Sequence, residues 1–262
     1  MNLYQFSVSF SDNRAVFPFI FEGQPLEDVF CALSARSWGN VLDKHNGKYP
    51  LREAFYRSFG YAPERCYACT QVHSRTVTAV SRDSPNDYPE GDGLVSSDPE
   101  VALSVTVADC LPVFLRDTRS GALGLVHSGW KGTGIVRAAL DKMKELWGTA
   151  PENVAAVLGP CIQGCCYQVD EARAAAFEAE FGSLASGYPL GGVIKKTGTG
   201  DQNPHMWYLK LQAANAALLD EAGVRHIAYT GDCTFTDERF GSFRREGPQY
   251  TRMAAFAGRI RT

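Results

Sequence analysis

The chain has 262 residues, enough for one large domain or two small ones, and its 45% apolar and 21% charged residues, with Gly 25 and Pro 13, are the mix of a soluble globular protein. That composition excludes disorder, collagen and coiled coil. The net charge of −3 offers no broad basic field for nucleic acid, no run of roughly 18 apolar residues could span a bilayer, and the N-terminal stretch lacks the basic and apolar regions of a secretion signal.

The expected compartment is therefore the cytoplasm, where thiols stay reduced. The eight cysteines (31, 66, 69, 110, 161, 165, 166 and 233) read as free thiols rather than a disulfide framework. With five histidines (45, 73, 127, 205 and 226) they raise two questions: metal binding and nucleophilic catalysis. No repeat, low-complexity tract or linker divides the chain, so a single domain over residues 1–262 is expected.

In chain order, the Cys66 to Cys69 pair has no second CxxC at zinc-ribbon spacing, and these read as core thiols. A polar, turn-rich loop follows from Ser81 to Gly93. Val101, Leu103, Val105 and Val107 then alternate with Ala102, Ser104 and Thr106, the period of a strand that runs into Ala108-Asp109-Cys110. Val113–Arg116 and Ala122–Val126 form a hairpin about Asp117–Gly121. A turn centred near Arg119 sets His127 opposite Leu111, and cross-strand neighbours lie about 4.5–5.5 Å apart at Cβ, so the hairpin brings His127 beside Cys110.

Beyond it, Ile135, Ala139, Met143 and Trp147 mark one face of a helix with Thr133 as N-cap and Gly148 as stop. Val154–Leu158 reads as a buried strand and Asp170–Phe181 as a helix. A turn-rich break follows over Ser183–Pro204, then a helix over Trp207–Ala222 closed by Gly223, and a strand over Val224–Tyr229. Hairpins and alternating strands and helices together predict an α/β protein with a mixed sheet rather than a purely parallel one.

Three segments carry the chemistry: Gln71-Val72-His73, Ala108-Asp109-Cys110 and Val126-His127-Ser128-Gly129-Trp130. His73, Cys110 and His127 would supply three ligands with a fourth position open, the signature of a catalytic rather than a structural zinc. Asp109 and Gln71 are the candidates to hold a liganding imidazole by its other nitrogen. The plain alternatives are a buried core thiol at Cys110 and a loop histidine at His127; local reasoning does not place His73 beside either. Adjacent Cys165 and Cys166 read as buried or loop thiols, because neighbouring residues seldom aim at one metal, and His205 and His226 read as structural.

The strings CTQVHSRTV, GDGLVSSDPEVALSVTVADCLPVFL, GLVHSGWKGTG, LGPCIQGCCYQV and CTFTDERFGSFRRE resemble, in order, the signature motifs of the laccase-domain family, also called polyphenol oxidase-like or peptidoglycan editing factor. The resemblance runs from about Cys31 to Ala257. It implies mixed β-sheets sandwiched by helices, and zinc-dependent phosphorolysis of adenosine, inosine, guanosine and methylthioadenosine, together with adenosine deamination. Its small-molecule partners would be purine nucleosides and phosphate, and its metal ligands fall on His73, Cys110 and His127. Asp109 is the nearest carboxylate to pass a proton. Arg36, Gln71, Lys131, Arg244 and Arg245 are the candidates to bind substrate.

The chain departs from the family at three of these points. Ala35-Arg36-Ser37-Trp38-Gly39 keeps the arginine of a Thr-Arg-x-Gly-Gly segment but not its first glycine. Lys131 stands where the family has arginine and loses the bidentate fork, and Ser242-Phe243-Arg244-Arg245 replaces Ser-Tyr-Arg-Arg. The family's name invites a copper-dependent polyphenol oxidase. Against it, the five histidines contain no His-x-His pair for a trinuclear cluster, although copper outcompetes zinc at many N and S sites. Two further readings remain at this stage. One is a cysteine hydrolase with a Cys110 thiolate and His127 base editing a peptidoglycan precursor; the other is a zinc-stabilised binding module.

Overall fold

In a computed structural model, residues 1–197 and 206–260 are described. The strands are β1 (Asn2–Phe6), β2 (Arg14–Phe17), β3 (Ile20–Phe21), β4 (Gln24–Pro25), β5 (Val29–Ser34), β6 (Cys66–Ala68), β7 (Val77–Ala79), β8 (Gly93–Ser96) and β9 (Ala102–Val107). They continue with β10 (Leu111–Asp117), β11 (Leu123–Ser128), β12 (Val154–Leu158), β13 (Gln168–Val169), β14 (Ile194–Thr197), β15 (Met206–Leu209), β16 (His226–Thr230) and β17 (Met253–Arg259). The helices are α1 (Pro50–Arg57), α2 (Ile135–Trp147), α3 (Glu171–Phe181), α4 (Leu211–Glu221) and α5 (Phe243–Glu246).

Two sheets dominate, one of seven strands in the order β1-β16-β12-β10-β11-β8-β7 and one of five in the order β2-β5-β17-β9-β6. Parallel pairs (β1 with β16, β12 with β16) sit beside antiparallel ones, as a mixed sheet requires. Alternation along β10 assigns the layers. Val113 and Leu115 face α2, α3 and α4 with Met143, Phe177 and Leu218, whereas Phe114 faces the five-stranded sheet with Phe17, Leu103 and Val105. The far face of that second sheet packs Phe256 and Ala254 against Phe55 and Tyr56 of α1. Helix, sheet, sheet and helix are thus stacked, the sandwich that the sequence led us to expect. Strands buried on both faces need unbroken apolar runs, which is how Val154–Leu158 reads.

The structure corrects several local expectations. The β10–β11 hairpin pairs His127 with Pro112 and Ser128 with Leu111, one position from the expected register. Its turn is closed by the Asp117 N–H donating to Ala122 O, while the Asp117 carboxylate accepts from Arg119 N and Ser120 Oγ. This centres the turn between Arg119 and Ser120 instead of on Arg119.

Thr133 does not cap α2, because its hydroxyl donates to Gly129 O. Gly134, at φ 104°, occupies the N-cap, and Gly148 ends the helix at φ 66° as expected. The helix expected over Trp207–Ala222 begins at Leu211, since Met206–Leu209 pairs with β13 and β14 as a strand. Tertiary pairing there overrides a helix-compatible pattern. The break at Ser183–Pro204 contains β14, and its remainder, with His205, lies partly outside the described residues. No helix among the described residues is long and apolar enough to cross a membrane.

Candidate metal centre

The parallel strands β1, β16 and β12 end on one side of the seven-stranded sheet. There β10 begins and β11 ends, because Val113 of β10 pairs with Leu158 at the end of β12. Open α/β sheets bind ligands at such carboxyl ends, where the following loops converge. Here the loops are tied together by backbone bonds: Ile162 N donates to Asp109 O, and Thr234 N to Cys161 O.

The ligand atoms of His73, Cys110 and His127 all lie within 4.8 Å of one another, and the two imidazole centroids are 4.9 Å apart. The hairpin supplies Cys110 and His127; His73 arrives from the loop after β6. That loop is held by a carboxylate the sequence reading missed. Asp92, with no exposed side-chain surface, accepts hydrogen bonds from Val72 N (3.1 Å), His73 N (3.0 Å), Ser74 N (2.6 Å) and Ser74 Oγ (2.9 Å). It also lies 2.9 Å from His127 Nδ1. One buried anion therefore folds the His73 loop and fixes the His127 ring with Nε2 left for a ligand. Its collar of donors also holds His73 at φ 59°, a left-handed conformation that side chains disfavour. Gly93 of β8 pairs with Val126 of β11, and this long-range pairing, which local sequence reading does not give, sets Asp92 beside His127.

Gly129 completes the enclosure. A Cβ there would stand 3.0 Å from Cys110 Sγ and 3.1 Å from His73 Nδ1, tighter than ordinary van der Waals contact, so any side chain would press on both ligands.

The electrostatics follow from these contacts. Burial pushes the Cys110 thiol up, but the two imidazoles outweigh it and bring the thiol down to about 6. Burial pulls His127 down, but the Cys110 sulfur and the Asp92 carboxylate outweigh it and lift the imidazole to about 9. Asp92, despite its burial, is held at about 2 by hydrogen bonds from His127 and Ser74. These shifts run in the direction that favours a Cys110 thiolate beside a His127 imidazolium held by the Asp92 carboxylate when no metal is bound. Two imidazoles and a thiolate suit a borderline-soft divalent ion such as zinc with a fourth position open.

The remaining sequence candidates fall in different places. Asp109 follows β9 at φ 84°, and both its oxygens are engaged: Oδ1 accepts from Thr234 Oγ1 (2.6 Å) and Oδ2 from Arg244 N (2.7 Å). It clamps three loops together and does not orient an imidazole. Gln71 grips the edge of β9 through Thr106, accepting from its N (2.7 Å) and Oγ1 (2.8 Å) and donating to its O (2.9 Å), so the expectation that it holds a histidine also fails.

Arg245 is committed to the carbonyls of Thr234, Phe235 and Phe240, leaving it little to offer a substrate. Arg36 is paired with Glu246 at 3.3 Å. Lys131 and Arg244 are exposed, and each lies over an aromatic ring. Lys131 and Arg173 lie over Trp130 at 5.6 and 4.6 Å, and Arg244 over Tyr167 at 5.6 Å.

His226, at the opposite end of β16, stacks on Tyr4 and meets Phe21 at a tilt, a structural setting. Cys66 is a core residue of β6, as expected. Cys165 and Cys166 are free thiols in the turn after β12, as the loop reading expected, and their sulfurs converge with that of Cys233.

Comparison with known proteins extends these observations. The sequence model of a family described as multi-copper polyphenol oxidoreductase laccase matches residues 40–260. A purine nucleoside phosphorylase of Deinococcus radiodurans is 35% identical over 225 residues, covering 84% of this chain and 81% of that protein. A protein of Geobacillus stearothermophilus named purine nucleoside phosphorylase YlmD is 32% identical over 211 residues, covering 75% and 73%. The crystal structure of YlmD from that organism superposes with a TM-score of 0.75 at 28% identity, over 89% of this chain and 93% of YlmD. The Neisseria meningitidis protein NMB0706 superposes at 0.76, with 24% identity over 94% and 99%.

Proposed function

From the premise that this chain belongs to the multi-copper polyphenol oxidoreductase laccase family, we propose that it is a zinc-dependent purine nucleoside phosphorylase. The convergence of His73, Cys110 and His127 with Asp92 behind them carries this reading, and the names of the relatives supply the substrate class. The same support extends to one domain spanning residues 1–262, because the two large sheets share one core.

A zinc ion held by His73, Cys110 and His127 would polarise a phosphate oxygen, or lower the pKa of a water from 15.7 to about 7. Asp92 keeps the His127 proton on Nδ1, so Nε2 presents its lone pair. Lys131, Arg173 and Arg244, which lie over the Trp130 and Tyr167 rings, would offer charge to phosphate. In phosphorolysis a phosphate oxygen attacks ribose C1′ while the purine leaves with the bonding pair. The substrates proposed are adenosine, inosine, guanosine and methylthioadenosine, with adenosine deamination as a second activity of the same centre and the cytoplasm as the compartment. A multi-copper oxidase does not fit, since among the described residues the two His/Cys groups contain no paired histidines for a trinuclear cluster.

Phosphate-dependent release of hypoxanthine from inosine tests the proposal. Full activity in Cys110→Ala or His127→Ala would sink it. The lowered Cys110 thiol, aligned with His127 and Asp92, favours a second reading, a cysteine hydrolase acting on a peptidoglycan precursor. That enzyme would survive chelation and die on thiol alkylation, the reverse of the phosphorylase pattern.

A further inference from the structure

Three more cysteines converge beside the candidate metal centre. The ligand atoms of Cys165, Cys166 and Cys233 lie within 4.8 Å of one another, and the Cys165 and Cys166 sulfurs are 3.2 Å apart. The turn after β12 explains how neighbouring residues can do this. Cys166 N and Tyr167 N both donate to Gln163 O, coiling the chain so tightly that two successive side chains share one side. Cys233 follows β16, and its loop is joined to that turn by a parallel backbone β-bridge between residues 161 and 233, both free thiols, and by Gln163 N donating to Cys233 Sγ at 3.4 Å. The group grades from exposed Cys165 through half-buried Cys166 to buried Cys233, which gives a cation an entrance and a floor.

We propose that Cys165, Cys166 and Cys233 form a second metal site, distinct from the one made by His73, Cys110 and His127, that takes a single Cu+ ion. All three donors are sulfur, with no imidazole or carboxylate in the group, and soft thiolates select Cu+ over harder ions. Three thiolates satisfy Cu+ in a trigonal plane with no further ligand, whereas Zn2+ on the same three would keep a water in its fourth position. Binding exchanges S–H for S–Cu bonds and releases the thiol protons to solvent, with no change of oxidation state. The site is independent of the phosphorylase reading, because ion uptake is measured without turnover.

The test is anaerobic titration of the full chain, first loaded with one equivalent of Zn2+, with Cu+ in competition with bicinchoninate. The wild-type protein should bind one further equivalent while keeping its zinc. Cys165→Ser/Cys166→Ser should bind Cu+ at least a hundredfold more weakly, with a melting temperature close to that of the wild type. The copper X-ray absorption spectrum of the wild type should show sulfur neighbours alone. Equal uptake by the two proteins, displacement of zinc, or imidazole in the copper spectrum would each overturn the proposal. If the double variant does not fold, the wild-type spectrum decides: three sulfurs uphold the site and any nitrogen neighbour overturns it.

Discussion

Replacing Asp92 by asparagine tests the central claim that one buried carboxylate builds the His73 loop and aims His127. The two oxygens of Asp92 serve five donors, Oδ2 taking Val72 N, Ser74 N and Ser74 Oγ, and Oδ1 taking His73 N and His127 Nδ1. An amide has one accepting oxygen and an NH2 that can only donate, so either orientation sets N–H against N–H. With the amide nitrogen at the Oδ1 position, His127 can respond only by moving its proton to Nε2, which removes the lone pair a metal needs. With the nitrogen at the Oδ2 position, the N–H groups of Val72 and Ser74 lose their acceptor. A buried donor without a partner costs about 1–3 kcal/mol, so two cost roughly 2–6 kcal/mol against a total stability of about 5–15 kcal/mol.

At roughly 2–4 °C per kcal/mol for a chain near this size, Asp92→Asn should melt roughly 5–20 °C lower yet remain folded at room temperature. Zinc affinity should fall about 10–100-fold, the usual effect of losing the partner of a liganding histidine. Because Asp92 titrates at about 2 instead of 3.8, its charge stabilises the fold fully above pH 3.8 and no longer below about 2. The stability gap between wild type and variant should therefore close as the pH falls through that window. Competition with a chromophoric zinc chelator, with thermal melts in parallel, reads all of this. A folded Asp92→Asn protein that holds zinc within about twofold of wild type would refute the reasoning.

Gly129→Ala should lower metal affinity by about tenfold or more with little loss of fold, since its Cβ would press on Cys110 Sγ and His73 Nδ1; metal analysis after dialysis checks this. In metal-free protein, alkylation of Cys110 should rise with pH about a midpoint near 6, as thiolate replaces thiol, and the midpoint should climb in His127→Ala; a wild-type midpoint above 8 would contradict the ion pair. Asp109→Asn should keep phosphorolysis within about tenfold of wild type, because an amide can still accept from Arg244 N and donate to Thr234 Oγ1; a loss of 10²–10⁴ would instead mark Asp109 as a general acid or base. Chelation should abolish phosphorolysis while circular dichroism shows the sheets intact, and unfolding on chelation would favour a purely structural metal.

What was legible in the sequence was local. The alternation from Val101 to Val107, and the turn residues between Val113 and Val126, placed Cys110 and His127 together to within one position of register. His73 could not be placed, because its neighbour is chosen by Asp92, whose partner His127 stands 35 positions away across the β8–β11 pairing. The same limit explains Met206–Leu209, where an apolar run compatible with a helix becomes a strand because β13 and β14 offer it partners. It also explains Cys165 and Cys166. The turn closed on Gln163 O, neither extended nor helical, brings two successive sulfurs to one side, which no local pattern announces.

The alignment of Cys110, His127 and Asp92 is common to a thiol nucleophile and to a metal ligand with its supporting carboxylate, so this trio does not choose between them. His73 does. A nucleophilic sulfur needs one base and a clear approach for an electrophilic carbon. Here a second imidazole converges on the same sulfur, and the Gly129 backbone closes another side. The Asp92 collar stabilises His73 in a left-handed conformation whose cost, about 1–2 kcal/mol, serves no purpose in a nucleophile and base pair. A third ligand is what that strain secures. Replacing His73 by alanine should therefore remove most metal affinity while leaving Cys110 and His127 paired; a variant that loses its metal but retains full phosphorolysis would return the sulfur to the role of nucleophile.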